Sequence, residues 1–278
     1  MYKTIVVHVD NSPQLPSRLA VAAALASAHG GHLVGSAVTG ITQFDFIAFG
    51  GAPVMTLPDA DFDLLRRNAN DQLLRFATAV GRLGVASWEQ RMIEDDAANA
   101  LVLESRYADL LVLSAGTPAG SRLRLVTDLP EYVALHGTRP VLVVPEDHRD
   151  DNLAGTVVIG WDASMEATRA VAGALPLLQQ ARSVLVAVIN PEPSNPRHGE
   201  QPGADLATYL ARHGVPVEVV PERSDASIAA TLVGLARDVG ANLLVTGVYG
   251  HSRYREWFAG GVSRDLLKQV SVPLLLAH

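Results

Sequence analysis

The sequence contains an internal repeat, and this repeat limits the folds open to the chain more than any other feature. TIVVHVDNS at residues 4–12 matches TVVIGWDAS at residues 156–164, with an offset of 152 positions. Both segments are short β-branched runs that end in Asp, one residue and Ser. With 278 residues, the chain is long enough for two domains of about 140 residues each.

Two further blocks repeat in the same order. ADLLVLSAGT at residues 108–117 matches ANLLVTGVYG at residues 241–250, with an offset of 133. TRPVLVVP matches VSVPLLLA, in which Pro140 corresponds to Pro273, again 133 positions apart. Three blocks in one order indicate a duplicated structural unit.

Apolar runs alternate with helical patterns in both copies. The predicted strands of the second copy are 156–161, 183–189, 216–221, 242–247 and 273–277. Its predicted helices are 164–180, 203–213, 226–239 and 261–270. The first copy has strands near 3–9, 32–38, 87–93, 109–114 and 140–145. Uniformly apolar strands are typical of parallel sheets covered by helices on both faces. The pattern predicts an α/β chain of two tandem, doubly wound, five-stranded parallel sheets.

The domain boundaries follow from the polar segment EDHRDDNLAG between the copies. We expect a first domain at residues 1–147 and a second at residues 154–278. Asp59, Asp96 and Asp225 stand just before helical runs and are predicted N-caps.

The first copy is longer than the second by about 19 residues in its middle. We place this excess around residues 40–59, a segment with Phe44, Phe46 and Phe49 and no regular period. Two interpretations stay open: a surface loop that packs its aromatic residues on the core, or a lid or partner-contact loop.

Composition excludes several functional classes. A net charge of −7 and a pI near 5.7 disfavour a nucleic-acid partner. The absence of cysteine removes disulfides, thiolate zinc sites and cysteine nucleophiles. The apolar N-terminal run is too short for a signal peptide, and no run of 18 apolar residues predicts a membrane span. We therefore expect a cytoplasmic protein.

The second copy places a glycine-rich loop after its fourth strand. Gly247, Gly250, Gly260 and Gly261 lie between this strand and the last predicted helix. In open α/β sheets, ligands bind beyond the carboxyl ends of the strands. Glycine lets the backbone approach a ligand closely, so the loop is a candidate binding site. The alternative is a turn that packs closely and binds nothing.

Neighbouring residues add suitable chemistry to this loop. The helix beginning near Val262 offers free N–H groups to an anion, and Ser263 adds a hydroxyl donor. Asp162, after the first strand of this copy, can accept hydrogen bonds from a ribose or base. His251 and Arg253 either reach phosphates or are simply solvated loop residues.

The loop GVYGHSRYREWFAGGVS resembles the G-x2-G-x9-G-[ST] motif of the universal stress protein family. The resemblance includes VVIGWDAS and the strand after Pro273, and it covers nearly the whole chain as two tandem domains. The family's nucleotide-binding members imply that Asp162 and the Val188 backbone lie near the adenine or ribose. They imply a ribose and phosphate site at Gly247, Gly250, Gly260, Gly261, Val262 and Ser263. Gly261 departs from the motif, because it stands where the family has Ser or Thr.

The first copy does not keep this loop. Ser114, Thr117 and Thr127 stand where the second copy has three of its glycines, and only Asp10 remains. We expect this half to be structural or regulatory. The resemblance also implies that the last strands of the copies pair antiparallel, making an intrachain pseudo-dimer; further homodimerisation stays open.

The resulting prediction is a stress-response sensor or regulator that binds ATP, or else ADP or AMP, with or without Mg²⁺. The chain has only two lysines, neither in a Walker motif, and no G-x-S-x-G motif, so we expect a binding protein rather than an enzyme. The alternatives are a nucleotide-free protein-interaction scaffold acting through the Phe44–Phe49 segment and, less favoured, a slow ATPase or hydrolase. No metal site is expected.

Overall fold

The structure is a computed structural model of the 278-residue chain. It describes residues 1–40, 59–115, 129–146, 148–191, 201–248, 261–269 and 271–278, with residues 59–61 described by their backbone alone. The Phe44–Phe49 segment therefore lies outside the described residues.

Strands and helices alternate along both halves of the chain. The strands of the first half are β1 (Thr4–His8), β2 (His32–Val38), β3 (Trp88–Ile93), β4 (Leu110–Ser114) and β5 (Val141–Val144). Its helices are α1 (Leu15–His29), α2 (Asp59–Arg82), α3 (Ala97–Glu104) and α4 (Leu129–His136). The strands of the second half are β6 (Thr156–Gly160), β7 (Ser183–Ile189), β8 (Val217–Glu222), β9 (Leu243–Gly247) and β10 (Leu274–Ala277). Its helices are α5 (Met165–Leu178), α6 (Ala204–Arg212), α7 (Ile228–Asp238) and α8 (Val262–Gln269).

All ten strands join in one sheet with the order β3-β2-β1-β4-β5-β10-β9-β6-β7-β8. Pairing is parallel within each half and antiparallel only between β5 and β10. One core layer packs α1, α2, α5 and α6 on one face of the sheet, and a second packs α3, α4, α7 and α8 on the other. The predicted doubly wound α/β fold is confirmed.

The register of β5 and β10 locates a pseudo-twofold axis. Leu142 lies opposite Leu275 in the antiparallel ladder. These two leucines are 133 positions apart, which is the offset of the sequence repeat, so each is the counterpart of the other. The axis therefore passes through this pair, and the predicted antiparallel pairing of the last strands is confirmed.

An ion pair crosses the same axis between two helices. Arg264 Nη2 in α8 donates to Glu131 Oε1 in α4 at 2.9 Å. These residues are also 133 positions apart and are counterparts in the repeat. Two identical halves would bring like charges together at this place. The duplicated chain has instead acquired opposite charges, which tie its two unlike halves to each other.

Two of the three predicted N-caps are wrong. Asp96 caps α3 as predicted, accepting from the Ala98 and Asn99 N–H groups. Ser227, not Asp225, caps α7, because the helix begins at Ile228 and only the residue directly before it is placed to reach the first-turn N–H groups. Helix α2 begins at Asp59 itself, so Asp59 does not precede it.

The extra length of the first half includes a long helix and is not confined to the predicted loop at residues 40–59. Helix α2 has 24 residues, whereas its counterpart α6 has 9. Phe76 of α2 is buried against β2, where a Cβ on Gly35 would lie 2.5 Å from the Phe76 ring. A glycine in the strand thus makes room for the aromatic ring.

The axial ion pair predicts a charge-swap result. We expect Arg264→Glu to lower the free energy of unfolding by about 1 kcal/mol, because it faces Glu131 with a like charge. The swapped variant Glu131→Arg/Arg264→Glu should recover most of that loss in urea denaturation. Arg237→Glu, at an exposed position of α7, is the control, with a smaller change expected. Equal losses in the single and swapped variants would contradict the pairing.

Candidate functional site

Each half has a crevice where its strand order reverses. In the first half this point lies between the carboxyl ends of β1 and β4, and in the second half between those of β6 and β9. Such reversal points are where open α/β sheets bind their ligands. The two crevices are therefore counterparts, and their linings can be compared position by position.

A tight turn follows β6 in the second crevice. Asp162 is exposed, and its Oδ1 accepts from the Ser164 N–H at 3.0 Å. Ser164 is the N-cap of α5 and accepts from the Ala167 N–H at 3.1 Å. The carboxylate of Asp162 is thus fixed at the mouth of the crevice, while the helix is capped by Ser164.

Two residues with left-handed backbone conformations lie at this edge of the sheet. Ala163 has φ of 56°, and Asn190, which follows β7, has φ of 49°. Asparagine tolerates this conformation, but alanine adopts it only at a cost of about 1 kcal/mol. Such strain often accompanies a functional site, since the surrounding structure must hold it in place.

The other described candidates in the second half have clear positions. Val188 is buried at the end of β7, so a ligand in the crevice can contact only its backbone. Gly261 precedes α8, and its carbonyl accepts from the Arg264 and Asp265 N–H groups at 3.0 and 3.1 Å. Val262 is the first residue of α8, and Ser263 follows it with 3% exposure.

Gly247 has a packing role in the structure. A Cβ at this position would lie 2.5 Å from the backbone nitrogen of Ala167 and 2.7 Å from the carbonyl carbon of Glu166. The end of β9 therefore packs directly on the first turn of α5, and this contact by itself already requires glycine at position 247. Gly250, His251, Arg253 and Gly260 lie outside the described residues.

The first crevice is closed by a side chain that no sequence motif indicated. Arg18 of α1 is 1% exposed. Its Nη2 donates to Asp10 Oδ1 at 2.7 Å, and its Nη1 donates to Ser114 Oγ at 2.9 Å. The guanidinium thus bridges the ends of β1 and β4 across the reversal point. Thr117 and Thr127 lie outside the described residues.

Comparison of counterpart positions shows how unlike the two crevices are. The first half has three polar side chains where the second has only glycine or alanine: His8, Arg18 and Ser114 against Gly160, Ala170 and Gly247. Aligning the alanine-rich first helix with its counterpart would have revealed the arginine. At these positions the second half therefore has no charged or polar side chain; Leu232 packs on Gly160, and the first turn of α5 packs on Gly247.

Burial and charge act together on the polar cluster of the first half. Burial lowers the pKa of His8 to about 4, although Asp10, whose Oδ2 is 3.8 Å from His8 Nδ1, opposes this shift. Burial alone would raise the pKa of Asp10, but Arg18, His8 and the hydrogen bond from Ser12 lower it below its usual value. Asp10 is therefore a buried carboxylate whose counter-charge is supplied by the protein itself.

Metal and membrane features are not found in the described parts of the chain. There, no group of three or more His, Asp or Glu side chains is arranged to hold a metal ion. Within the same residues, no helix is both long and apolar enough to cross a bilayer.

Removing the arginine should destabilise the first half strongly. We expect Arg18→Met to lower the free energy of unfolding by about 3 kcal/mol, because it leaves the Asp10 carboxylate largely buried without its cation. Asp10→Asn/Arg18→Met, which removes both charges, should regain much of this loss in urea denaturation. Arg169→Met, at an exposed position of α5, is the control. An Arg18→Met variant as stable as that control would refute the ion pair.

His8 should make stability depend on pH. Its pKa is about 4 in the native chain and near 6.5 when unfolded, so the unfolded state binds the proton first as the pH falls. Stability should decline from about pH 6.5 to pH 4, by up to about 1.4 kcal/mol per unit for this group. His8→Gln should give a shallower curve of unfolding free energy against pH. Parallel curves for the two chains would contradict the assignment.

Comparisons with known proteins give the same result for both halves. The model of the universal stress protein family matches residues 1–145 and 154–278. A universal stress protein from Archaeoglobus fulgidus DSM 4304 has a similar structure, with a TM-score of 0.72, 14% identity, and coverage of 99% of this chain and 95% of that one. A functionally unknown protein from Pseudomonas aeruginosa PAO1 gives 0.61 and 14%, covering 99% and 92%.

A universal stress protein solved in complex with cAMP is 22% identical, with a TM-score of 0.37, and covers 52% of this chain and 98% of its own. No curated protein matches the chain. The family model covers nearly all of both repeats, which the ten-stranded sheet joins. The chain belongs to the universal stress protein family, as a tandem member with two unequal halves.

Proposed function

We propose that the chain binds one adenine nucleotide, ATP first among them, in the crevice of its second half, and acts as a stress-response sensor or regulator. The supporting observation is the difference between the two crevices. The second has Gly160, Ala170 and Gly247 where the first is filled by side chains. ADP or AMP is the alternative ligand, with or without Mg²⁺.

A nucleotide needs backbone groups that it can approach closely. In the second crevice, no polar side chain stands at Gly160, Ala170 or Gly247, and we propose that α8 directs its first-turn N–H groups and dipole toward the anion. We assign the phosphates to Gly260, Gly261, Val262 and Ser263. His251 and Arg253 are additional phosphate contacts in this proposal.

We assign recognition of the ribose and base to residues at the carboxyl ends of β6, β7 and β9. Asp162 is the acceptor for ribose hydroxyls, since its turn already fixes the carboxylate at the crevice mouth. The Val188 backbone lies beside the adenine, and Gly247 and Gly250 run along the ribose and phosphates.

The first half is proposed to bind no nucleotide. Access for a ligand between β1 and β4 would require the Arg18–Asp10 ion pair to break, and breaking a buried pair costs about 3–5 kcal/mol. A phosphate would also meet Ser114 where the second half has Gly247. We propose that this half serves instead to support its partner through the shared sheet.

Binding without turnover is the most economical proposal. A P-loop phosphotransferase needs a lysine beside its glycines, and neither Lys3 nor Lys268 is so placed in the sequence. The proposed site is cytoplasmic, where adenine nucleotides are abundant. Any homodimer would form in addition to the internal pseudo-dimer.

Introducing the arginine of the first crevice at the counterpart position of the second crevice tests this proposal. Ala170→Arg places a guanidinium at the counterpart of Arg18. By analogy with the Arg18–Asp10 pair, we expect it to bind Asp162 and to reduce ATP affinity by at least tenfold in calorimetry. Ala172→Arg, on the exposed face of the same helix, is the matched control and should bind as the wild type does. Urea denaturation establishes that both variants are folded.

The glycine loop offers a second route to the same result. Gly250→Val and Gly260→Val should each abolish ATP binding while the fold persists. ADP, AMP and cAMP complete the ligand series. No binding of any of the four at millimolar concentration to nucleotide-stripped wild type would refute the proposal, and an unaffected Ala170→Arg variant would refute the location.

A further inference from the structure

A cleft lies in the first half between α1 and α2, and it meets the first crevice only at Asp10. It is bounded by the turn after β1, the first turns of α1 and the last turns of α2, and has a volume of about 470 Å³. Pockets for small molecules typically have volumes of about 300–1,000 Å³. Its size is therefore that of a small-molecule site rather than of a groove for a folded partner.

One wall of this cleft is apolar. Leu15 and Leu19 come from α1, Ala79 comes from α2, and Leu83 directly follows α2. Leu83 is 46% exposed, although apolar surface is usually better covered. An adjoining hollow of about 350 Å³ continues the apolar surface past Ala79 to Leu74, which is 63% exposed. Together these side chains offer a hydrophobic track along α2.

Two arginines lie at the boundary between the cleft and the adjoining hollow. Arg75 and Arg82 line both of them, and seven residues, or about 10 Å of helix, separate them on one face of α2. Arg75 Nη1 donates to Asn11 Oδ1 at 3.1 Å, which uses only part of its guanidinium. Among the described residues, neither arginine has a carboxylate within ion-pair distance.

The acidic residue of the cleft does not cancel this charge. Asp10 lies at one end, but its carboxylate is bound by Arg18 and by the hydroxyl and N–H groups of Ser12. The cleft therefore has the positive charges of Arg75 and Arg82 beside its apolar wall. The second half does not repeat this charge. Gly84 and Gly214 are left-handed glycines that follow counterpart helices, and the residue nine positions before each is Arg75 in the first half and Asp205 in the second.

We infer that this cleft binds a small amphipathic carboxylate, an unbranched alkyl chain that ends in one anionic head. The hydrocarbon chain packs on the leucines, and the carboxylate binds the guanidinium groups, whose planar N–H pairs match its two oxygens. An inorganic anion has no hydrocarbon part that could pack on the apolar wall. This inference is independent of the nucleotide proposal, because no residue is shared between the two sites.

Titration calorimetry of the full chain with octanoate, decanoate and dodecanoate, each below its micellar concentration, tests the inference. We expect one site per chain and an affinity that rises about fourfold per added methylene until the cleft is full. Arg75→Gln/Arg82→Gln should weaken decanoate binding by at least tenfold. Arg67→Gln, exposed on the same helix but outside the cleft, should leave it unchanged.

Leu83→Asp is a second, surface-tolerated variant that places a negative charge in the apolar wall, and it should also weaken binding at least tenfold. Three outcomes would overturn the inference: no binding of any of the three chains, equal affinities across the series, or equal effects of the Arg75/Arg82 and Arg67 variants. Displacement of decanoate by equimolar inorganic phosphate would likewise overturn it, by revealing a simple anion site. ATP binding, measured alongside, should be unchanged in all these variants.

Discussion

The antiparallel pairing of β5 with β10 is the interaction on which the rest of the molecule depends. Each half alone would end in an apolar edge strand with unpaired backbone groups, which invites aggregation. Pairing Leu142 with Leu275 removes both edges at once and continues the core across the chain. It also sets α4 beside α8, so that Glu131 meets Arg264. The two halves are thereby held in one fixed relation.

Within this shared sheet the two crevices differ. In the first half, the protein itself fills the crevice. Arg18 does so by bridging Asp10 and Ser114. Symmetry-related positions then differ in sign or size, as at Glu131 and Arg264. We therefore propose that the first half supports the fold and that the second half binds the ligand.

The sequence predicted the strands well because buried parallel strands are uniformly apolar, and β2 and β7 match their predicted bounds in full. Local geometry was harder to predict. The cap of α7 depended on a helix start two residues later than expected, and the need for glycine at Gly247 came from a distant contact with α5. Arg18 looked like an ordinary polar residue on an alanine-rich helix, since its partners are 8 and 96 positions away. Such long-range pairs leave no periodic signal in the sequence.

The central claim is that one crevice is open and its counterpart is closed, and ligand stoichiometry tests it most directly. Native mass spectrometry of nucleotide-stripped chain titrated with ATP would count the bound molecules per chain. The account predicts a single ATP adduct that saturates at one per chain. Two adducts of similar affinity would contradict it by showing that Arg18 does not close the first crevice, and the absence of any adduct would contradict the open second one.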